Sequence, residues 1–273
     1  MMTNAREFAD PWPAPEAMWA DPPWLMSGIS VTAWFETSPA AVSALLSPDF
    51  EPQCGTGGVP TRVRFYRVDF EPRDGDEEYR RQMAGQFLEA VIAFKGRIAG
   101  VTGEFSAYMW TDSDAYLCWG RENFGWPLTR ARFELTGGIW GDAGSAASSC
   151  RVTRRDFSWT LEVDASQADE VAAGPSPNWL TPRRILFPGG SEPERRDLLV
   201  VRPEVRRAGR FTHRTGTLTL DALGDSWVAT LAPLGPVEVH VLEDFQICVG
   251  HDVRIVPGSA PSPHQKSKPP ETE

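Results

Sequence analysis

Apolar and polar residues alternate in many short segments of this chain, and alternation with a period of two is the pattern of β-strands. Along residues 61–70, for example, Val63 and Phe65 fall on one face, while Tyr66 and Val68 fall on the other. Turn-forming residues separate these segments at short intervals. The pattern predicts strands over residues 29–35, 61–70, 87–94, 103–110, 130–135, 150–153, 157–163, 215–223, 226–231 and 236–249.

Helical signals are few. Ser38 followed by Pro39 is typical of a helix start, and a helix is expected over residues 39–46, before the next Ser-Pro pair. Further short helices are expected near Asp112 and Ser166. Many short strands with frequent turns favour a sheet closed into a barrel or a sandwich. The predicted fold is therefore mainly β, or β-rich α+β: a single antiparallel, barrel-like domain with a few short helices.

Both ends of the chain depart from this pattern. Residues 1–23 are rich in Pro and Trp without periodicity, which predicts an irregular arm, and residues 257–273 have the composition of a disordered tail. The β domain is expected to span residues 24–256. The 24 Pro, 24 Gly and 11 Trp among the 273 residues agree with short strands and tight turns.

The charge excludes some classes of partner. A net charge of −10 at pH 7 argues against nucleic acid or an anionic membrane surface. No apolar run approaches the ~20 residues of a membrane-spanning helix. The N-terminus lacks the residue order of a signal peptide, so a cytoplasmic location is expected. The four cysteines and four histidines show no ligand-like spacing, so neither a metal nor another cofactor is expected.

The most specific motif lies in residues 120–130. It follows an apolar run, residues 115–119, which is interpreted as a strand, and it reads Gly-Arg-Glu, four residues, then Pro-Leu-Thr. It resembles the active-site segment of acetoacetate decarboxylase-like proteins, which ends in Pro-Lys-Lys instead. In that family the first lysine forms a Schiff base with a β-keto acid, and the second lowers its pKa. Because Leu128 and Thr129 occupy these positions, the chain resembles a divergent member without the Schiff-base lysine.

The resemblance is colinear from about residue 29 to residue 255. Shorter segments that match the family lie at residues 88–90, 177–179, 215–218 and 232–234. The resemblance implies an antiparallel, barrel-like β domain whose closed end holds an apolar cavity. It also implies a small-molecule substrate and assembly into homo-oligomers, which is common in the family.

Glu89 is the leading catalytic candidate. It interrupts the apolar run over residues 87–92, where burial would raise the pKa of a carboxyl group and suit it to proton transfer. The structural alternative is an ion pair with Arg97 or Arg121. Tyr66, which the resemblance places at the pocket, would donate a hydrogen bond to a carbonyl group or only fill the core with its ring.

Arg121 is a third catalytic candidate, as a stabiliser of an enolate or oxyanion. The alternative is that it forms a structural pair with Glu122 beside a strand end. Arg130 would hold a carboxylate or enolate bidentately, or form a surface salt bridge. Tryptophans would line the cavity or serve as ordinary core residues. The substrate-binding candidates are Trp119, Glu122, Trp126, Leu128, Thr129, Arg130 and Trp179.

Three functions fit these residues. The leading one is a Schiff-base-independent enzyme, a lyase, cyclase or isomerase acting on an apolar, carbonyl-rich small molecule such as a polyketide-like intermediate of secondary metabolism. The second is a non-catalytic protein that binds an apolar ligand in the same cavity. The third is a decarboxylase whose lysine has moved to Lys95, which has the same strand parity as Glu89. If Glu89 is exposed to the cavity with a raised pKa, an enzyme is favoured. If Glu89 is instead paired with an arginine outside the cavity, a non-catalytic binding protein is favoured.

Overall fold

The computed structural model describes residues 22–46, 49–141, 145, 147–155, 157–170, 178–186, 193–222 and 230–257. Within these residues there are three α-helices and thirteen strands. The helices are α1 (Pro39–Leu45), α2 (Glu77–Met83) and α3 (Asp114–Phe124). The strands are β1 (Trp24–Thr37), β2 (Phe50–Pro52), β3 (Val59–Pro72), β4 (Gly85–Ile98), β5 (Val101–Thr111), β6 (Leu128–Arg130), β7 (Arg132–Gly137), β8 (Ala147–Arg154), β9 (Phe157–Glu170), β10 (Trp179–Leu186), β11 (Pro193–Arg207), β12 (Arg210–Ala222) and β13 (Glu238–Pro257).

The strands belong to one sheet that closes on itself. β1 pairs with β3 on one side and with β13 on the other, so β1, β3, β4, β5, β10, β11 and β13 form a ring. The strands β12, β9, β8 and β7 continue the sheet outward from β13. The pairings are antiparallel except for two short parallel ones, in which β5 meets β6 and β10. The predicted β-rich, barrel-like architecture is confirmed.

Two apolar clusters lie on opposite faces of the ring strands. On β4, Ile92 and Phe94 belong to the first cluster, while Phe87 and Val91 belong to the second, because successive side chains point to opposite faces. The first cluster also contains side chains of β8, β9 and β12, which lie outside the ring. The second draws on the ring strands and on α2, α3 and β6, so it fills the inside of the ring. Burial on both faces explains why residues 87–94 form a nearly continuous apolar run.

The interpretation of residues 115–119 as a strand is wrong, because they form the first half of α3. The side chain of Ser113 accepts a hydrogen bond from the backbone N–H of Tyr116 at 3.2 Å and caps the helix. Tyr116, Trp119 and Phe124 are buried at the spacing of a helix face. A short apolar run does not by itself distinguish a strand from a buried helix.

Other predictions had mixed outcomes. The helix at Pro39 is confirmed, and α3 begins close to the helix expected near Asp112. The helix expected near Ser166 is wrong, because β9 continues through this position and its last residues pair with β12. The long strands β10 and β11 were not predicted, and neither was α2. Helix α2 has no fully buried residues, and only Tyr79 and Met83 pack partly against the second cluster, so its apolar stripe is too short to predict the helix.

Parts of some predictions fall outside the described residues. These include almost all of the predicted arm over residues 1–23 and of the tail over residues 257–273. Pro257, the first tail residue, is the last residue of β13. Of the strand predicted over residues 226–231, only Thr230 and Leu231 are described, and neither lies in a strand.

Candidate active site

A narrow cavity lies inside the ring, bordered by β1, β3, β4, β5, β10, β13 and α3. Its volume is about 50 Å³, which is room for a group of a few heavy atoms. The walls are mainly apolar, with Met26, Val68, Val91, Met109, Phe245 and Ile247 among them. Five polar side chains also reach it: Arg64, Tyr66, Glu89, Ser106 and Tyr116. A few convergent polar groups in an apolar pocket are typical of a small-molecule site.

Glu89 lies in the middle of β4, next to Tyr66 of β3 and Thr111 of β5. It is only 7% exposed, and its Oε1 accepts a hydrogen bond from the hydroxyl of Tyr116 at 3.1 Å. Burial raises the pKa of the Glu89 carboxyl to about 8, against the opposing effects of the Tyr116 hydrogen bond and of Arg64. Most Glu89 side chains are therefore neutral at pH 7, and a minority are ionised.

Tyr116 holds Glu89 from the helix side. Its ring stacks on Phe87 with a centroid distance of 3.8 Å, so the ring cannot turn away without losing this packing. Burial and the neighbouring Glu89 raise the pKa of Tyr116 well above its usual value, so its hydroxyl stays protonated and donates to Oε1. Within the described part of the chain no hydrogen bond is made by Oε2 of Glu89, and this residue borders the cavity.

Tyr66 and Arg64 stand side by side on the same face of β3. Nη1 of Arg64 donates to the hydroxyl oxygen of Tyr66 at 3.3 Å, and its Nη2 lies 2.9 Å from both carboxylate oxygens of Glu104. Burial raises the pKa of Tyr66, which keeps its hydroxyl protonated. Since the hydroxyl oxygen accepts from Arg64, its own proton is free to be donated to a ligand.

The structure brings four of the predicted site residues to the cavity: Glu89, Tyr66, Trp126 and Trp179. Trp119 and Leu128 are buried in the same apolar cluster, but they do not border the cavity. Thr129 is partly exposed, and its hydroxyl donates to the backbone oxygen of Met109 at 3.5 Å.

Three charged candidates, Arg121, Glu122 and Arg130, lie outside the cavity. Arg121 and Glu122 project from α3 into solvent, because the Gly-Arg-Glu segment belongs to a helix whose other face is buried. Arg130 is exposed and forms a surface ion pair with Asp114 at 3.1 Å. It borders a separate open groove together with Arg132, so it does not reach the cavity.

Sequence reasoning missed three polar cavity residues, Arg64, Ser106 and Tyr116. Arg64 had a usable signal, because it has the same parity on β3 as Tyr66 and must share its face. Tyr116 had no such signal once residues 115–119 were interpreted as a strand, because its direction depends on the helix.

Lys95 shares the face of Glu89, as its parity predicted, but the two residues are six positions apart on β4. That spacing corresponds to about 20 Å along a strand. The Lys95 Nζ lies 4.8 Å from the ring centroid of Trp34, and burial together with Arg62 lowers the pKa of Lys95. An imine at Lys95 would therefore be remote from the Glu89 carboxyl.

Among the described residues, no group of three or more His, Cys, Asp or Glu side chains is arranged to hold a metal ion. No helix in the described part of the chain is long and apolar enough to cross a membrane.

Comparison with protein families gives a match over most of the chain. A family model described as acetoacetate decarboxylase (ADC) matches residues 10–253. In the comparison with curated proteins, nothing matches the sequence.

Several solved structures are similar in fold. The enduracididine biosynthesis enzyme MppR, complexed with pyruvate, has 22% identity and a TM-score of 0.68, with 88% of this chain and 93% of that chain covered. Acetoacetate decarboxylase from Legionella pneumophila has 17% identity and a TM-score of 0.68, with 94% and 98% covered. An acetoacetate decarboxylase-like enzyme from Sphingomonas wittichii RW1 has 18% identity and a TM-score of 0.66, with 87% and 95% covered.

Proposed function

The chain belongs to the acetoacetate decarboxylase family, and from that premise we propose that it is an enzyme that transfers protons on a carbonyl compound without forming a Schiff base. The observation that carries the proposal is the buried carboxyl of Glu89, which borders the cavity and has a pKa raised to about 8. A carboxyl group with a pKa near the working pH is suited to both giving and taking a proton.

The cavity residues divide the chemistry between them. Ionised Glu89 takes a proton from the carbon next to the carbonyl group, and the electron pair of the broken C–H bond moves towards the carbonyl oxygen. The hydroxyl of Tyr66 donates a hydrogen bond to this oxygen as its negative charge develops. Tyr116 holds Oε1 of Glu89, so Oε2 receives the proton and later returns it. In a dehydration, the proton that Glu89 has taken is delivered to a hydroxyl group on the next carbon, which leaves as water while the electron pair of the enolate forms a C=C bond.

The absence of an amine at the family position supports a mechanism without an imine. Leu128 is 1% exposed and apolar, and neither it nor Thr129 can form a Schiff base. The chain has three lysines, of which Lys266 and Lys268 lie in the C-terminal tail. Lys95 shares the face of Glu89, but it lies about 20 Å along the strand from the carboxyl that would have to transfer the proton.

The position of Glu89 favours an enzyme over a protein that only binds a ligand. Arg97 pairs with Glu51, and Arg121 is exposed, so neither of the arginines considered from the sequence locks Glu89. We assign the reaction to cyclisation, dehydration or isomerisation of a largely apolar carbonyl compound in secondary metabolism. The biosynthetic role of MppR, which shares the fold, agrees with this setting.

Hydrogen–deuterium exchange tests the proton transfer directly. Pyruvate, which is bound in the MppR structure, is a suitable probe because loss of its methyl protons in D₂O can be followed by NMR. The protein is expected to accelerate the exchange, with a rate that rises with pH, is half-maximal near pH 8 and levels off about one pH unit higher as Glu89 ionises. Glu89→Gln is expected to lower the rate by about 100-fold or more, the usual contribution of a general base.

Glu51→Gln is the matched control, because Glu51 is an exposed carboxylate paired with Arg97. This variant is expected to exchange the methyl protons at the wild-type rate. Full activity in Glu89→Gln, or a rate without a rise towards pH 8, would contradict the proposal.

A further inference from the structure

Three cations surround one buried carboxylate at the end of the cavity where Arg64 lies. Arg62 and Arg64 occupy alternate positions of β3, and both bind Glu104, at 2.7 Å and 2.9 Å. Lys95 of β4 pairs in register with Glu104 of β5. Glu104 is 1% exposed, so its charge is enclosed by these neighbours.

This cluster carries more positive than negative charge. Both arginines share the single carboxylate of Glu104, and Lys95 forms no ion pair within the described part of the chain. Arg62 is 7% exposed, and its buried Nε has no hydrogen-bond partner there. Burial and the neighbouring Arg64 lower the pKa of Arg62 to about 9. A buried cation with an unused donor is costly unless an anion completes its surroundings.

The cluster is open on one side. The guanidinium of Arg62 lies 3.4 Å from the ring centroid of Trp34, and Nζ of Lys95 lies 4.8 Å from it. Both Trp34 and Lys95 are partly exposed, so an anion can approach along the indole ring. Cations stacked on an aromatic ring remain able to donate hydrogen bonds at their edges.

Arg64 connects this cluster with the cavity. It borders the cavity beside Tyr66, and its other side faces Glu104 and Arg62. Four positions of β3 separate Tyr66 from Arg62, which corresponds to about 13 Å. The narrow cavity of about 50 Å³ holds only the reacting end of an elongated molecule. A longer molecule that extends from this cavity along β3 past Arg64 reaches the cluster.

We propose that Arg62, Arg64 and Lys95 form a recognition site for the terminal carboxylate of an elongated substrate whose carbonyl group lies at Glu89. This inference rests on the proposed function, because it takes the carbonyl position from it. The substrate class is therefore an oxo acid in which an apolar spacer of roughly 10 Å separates the carbonyl from the carboxylate. Binding the carboxylate supplies the negative charge that the cluster lacks.

Affinities of a graded series of methyl-ketone acids test this site in the wild-type protein. The probes are pyruvate, 4-oxopentanoate, 6-oxoheptanoate and 8-oxononanoate, with their methyl esters, measured by titration calorimetry. We expect 8-oxononanoate to bind at least tenfold more tightly than pyruvate and at least tenfold more tightly than its own ester. The proposal would be overturned if the affinity did not depend on chain length, which includes the case that no probe binds. It would also be overturned if the ester bound as tightly as its acid.

Substitution of Arg62 locates the effect. Arg62→Met is expected to weaken binding of 8-oxononanoate by about 10- to 100-fold, the usual loss for a charged hydrogen bond, and to leave pyruvate within twofold of wild type. Arg97→Met, which removes an exposed arginine paired with Glu51, is the matched control and should bind both acids normally. Equal loss in both variants, or no loss in Arg62→Met, contradicts the assignment.

Two features keep the result decisive. If Arg62→Met does not fold, Arg62→Lys replaces it in the test, because lysine keeps the positive charge but lacks the planar guanidinium group. The difference in affinity between 8-oxononanoate and its ester should be smaller in Arg62→Lys than in the wild type. The affinities do not depend on turnover. A chain-length effect without proton exchange would therefore refute the proposed function alone, and exchange without a chain-length effect would refute only this site.

Discussion

Glu89 shows how a single position can acquire acid–base properties from its surroundings. The apolar neighbours on β4 bury the carboxyl and raise its pKa, while the hydroxyl of Tyr116 stabilises the ionised form and limits the rise. The sequence predicted the burial of Glu89, because a glutamate within an apolar strand is buried together with its neighbours. It did not predict Tyr116, because that contact depends on a helix about 27 residues away along the chain.

The raised pKa of Glu89 has a consequence for stability. The pKa is about 8 in the folded protein and 4.5 in the unfolded chain, so the folded state binds this proton more tightly. The resulting stabilisation is fully present below pH 4.5 and is lost as the pH rises through about 8. The Glu89→Gln variant has no ionisable group at this position. Between pH 5 and pH 8, its free energy of unfolding should therefore increase relative to that of the wild type by on the order of 4 kcal/mol.

Urea unfolding of both proteins at several pH values measures this difference. Glu51→Gln, in which an exposed carboxylate is removed, should follow the wild-type pH dependence. A difference between Glu89→Gln and wild type that stays constant from pH 5 to pH 8 would show that Glu89 is not held neutral by the fold.

At the scale of elements, the Gly-Arg-Glu motif has a structural explanation. Gly120 lies on the buried face of α3, where a Cβ atom would come within 2.3 Å of Leu128 and 2.8 Å of Trp126. Gly125 ends the helix with a positive φ of 67°, which glycine adopts without strain, and its N–H donates to the backbone oxygen of Arg121. The two glycines thus allow the chain to return from α3 into β6. Arg121 and Glu122 contribute no contact to the cavity.

Gly120→Ala tests this explanation. The added methyl group meets the rigid ring of Trp126 and the buried side chain of Leu128, and such overpacking costs about 1–3 kcal/mol. The free energy of unfolding should fall by that amount in urea denaturation. Gly85→Ala is the control, because no atom lies within 4 Å of its added Cβ, and it should stay within about 0.5 kcal/mol of wild type. Equal stability of Gly120→Ala and the wild type would contradict a role of Gly120 in the packing of α3.

At the scale of the whole molecule, the strand pattern predicted the fold better than it predicted the site. Alternating and continuous apolar runs identified β1, β3, β4 and β5, because both faces of these strands pack against apolar clusters. They did not identify β10 and β11, whose long pairing depends on partners elsewhere in the ring. The pairing of β1 with β13 joins residues more than 200 positions apart, so the periodicity of the sequence cannot predict it.

The closed ring also explains why residues distant in sequence meet at one cavity. Glu89 and Tyr66 come together through register between neighbouring strands, which the sequence could suggest. Phe245 and Trp179 reach the same cavity only because the ring closes. Among the described residues, those that border the cavity provide a carboxyl, two phenols, a serine hydroxyl and an arginine, but no amine.

The absence of an imine is most directly tested by borohydride trapping. The protein would be incubated with pyruvate under the conditions of proton exchange, reduced with borohydride, and examined by intact-mass and peptide mass spectrometry. Catalysis by Glu89 without a Schiff base predicts an unchanged mass and undiminished exchange activity after reduction. A reduced pyruvate adduct on Lys95, with loss of the exchange activity in proportion to its yield, would contradict it.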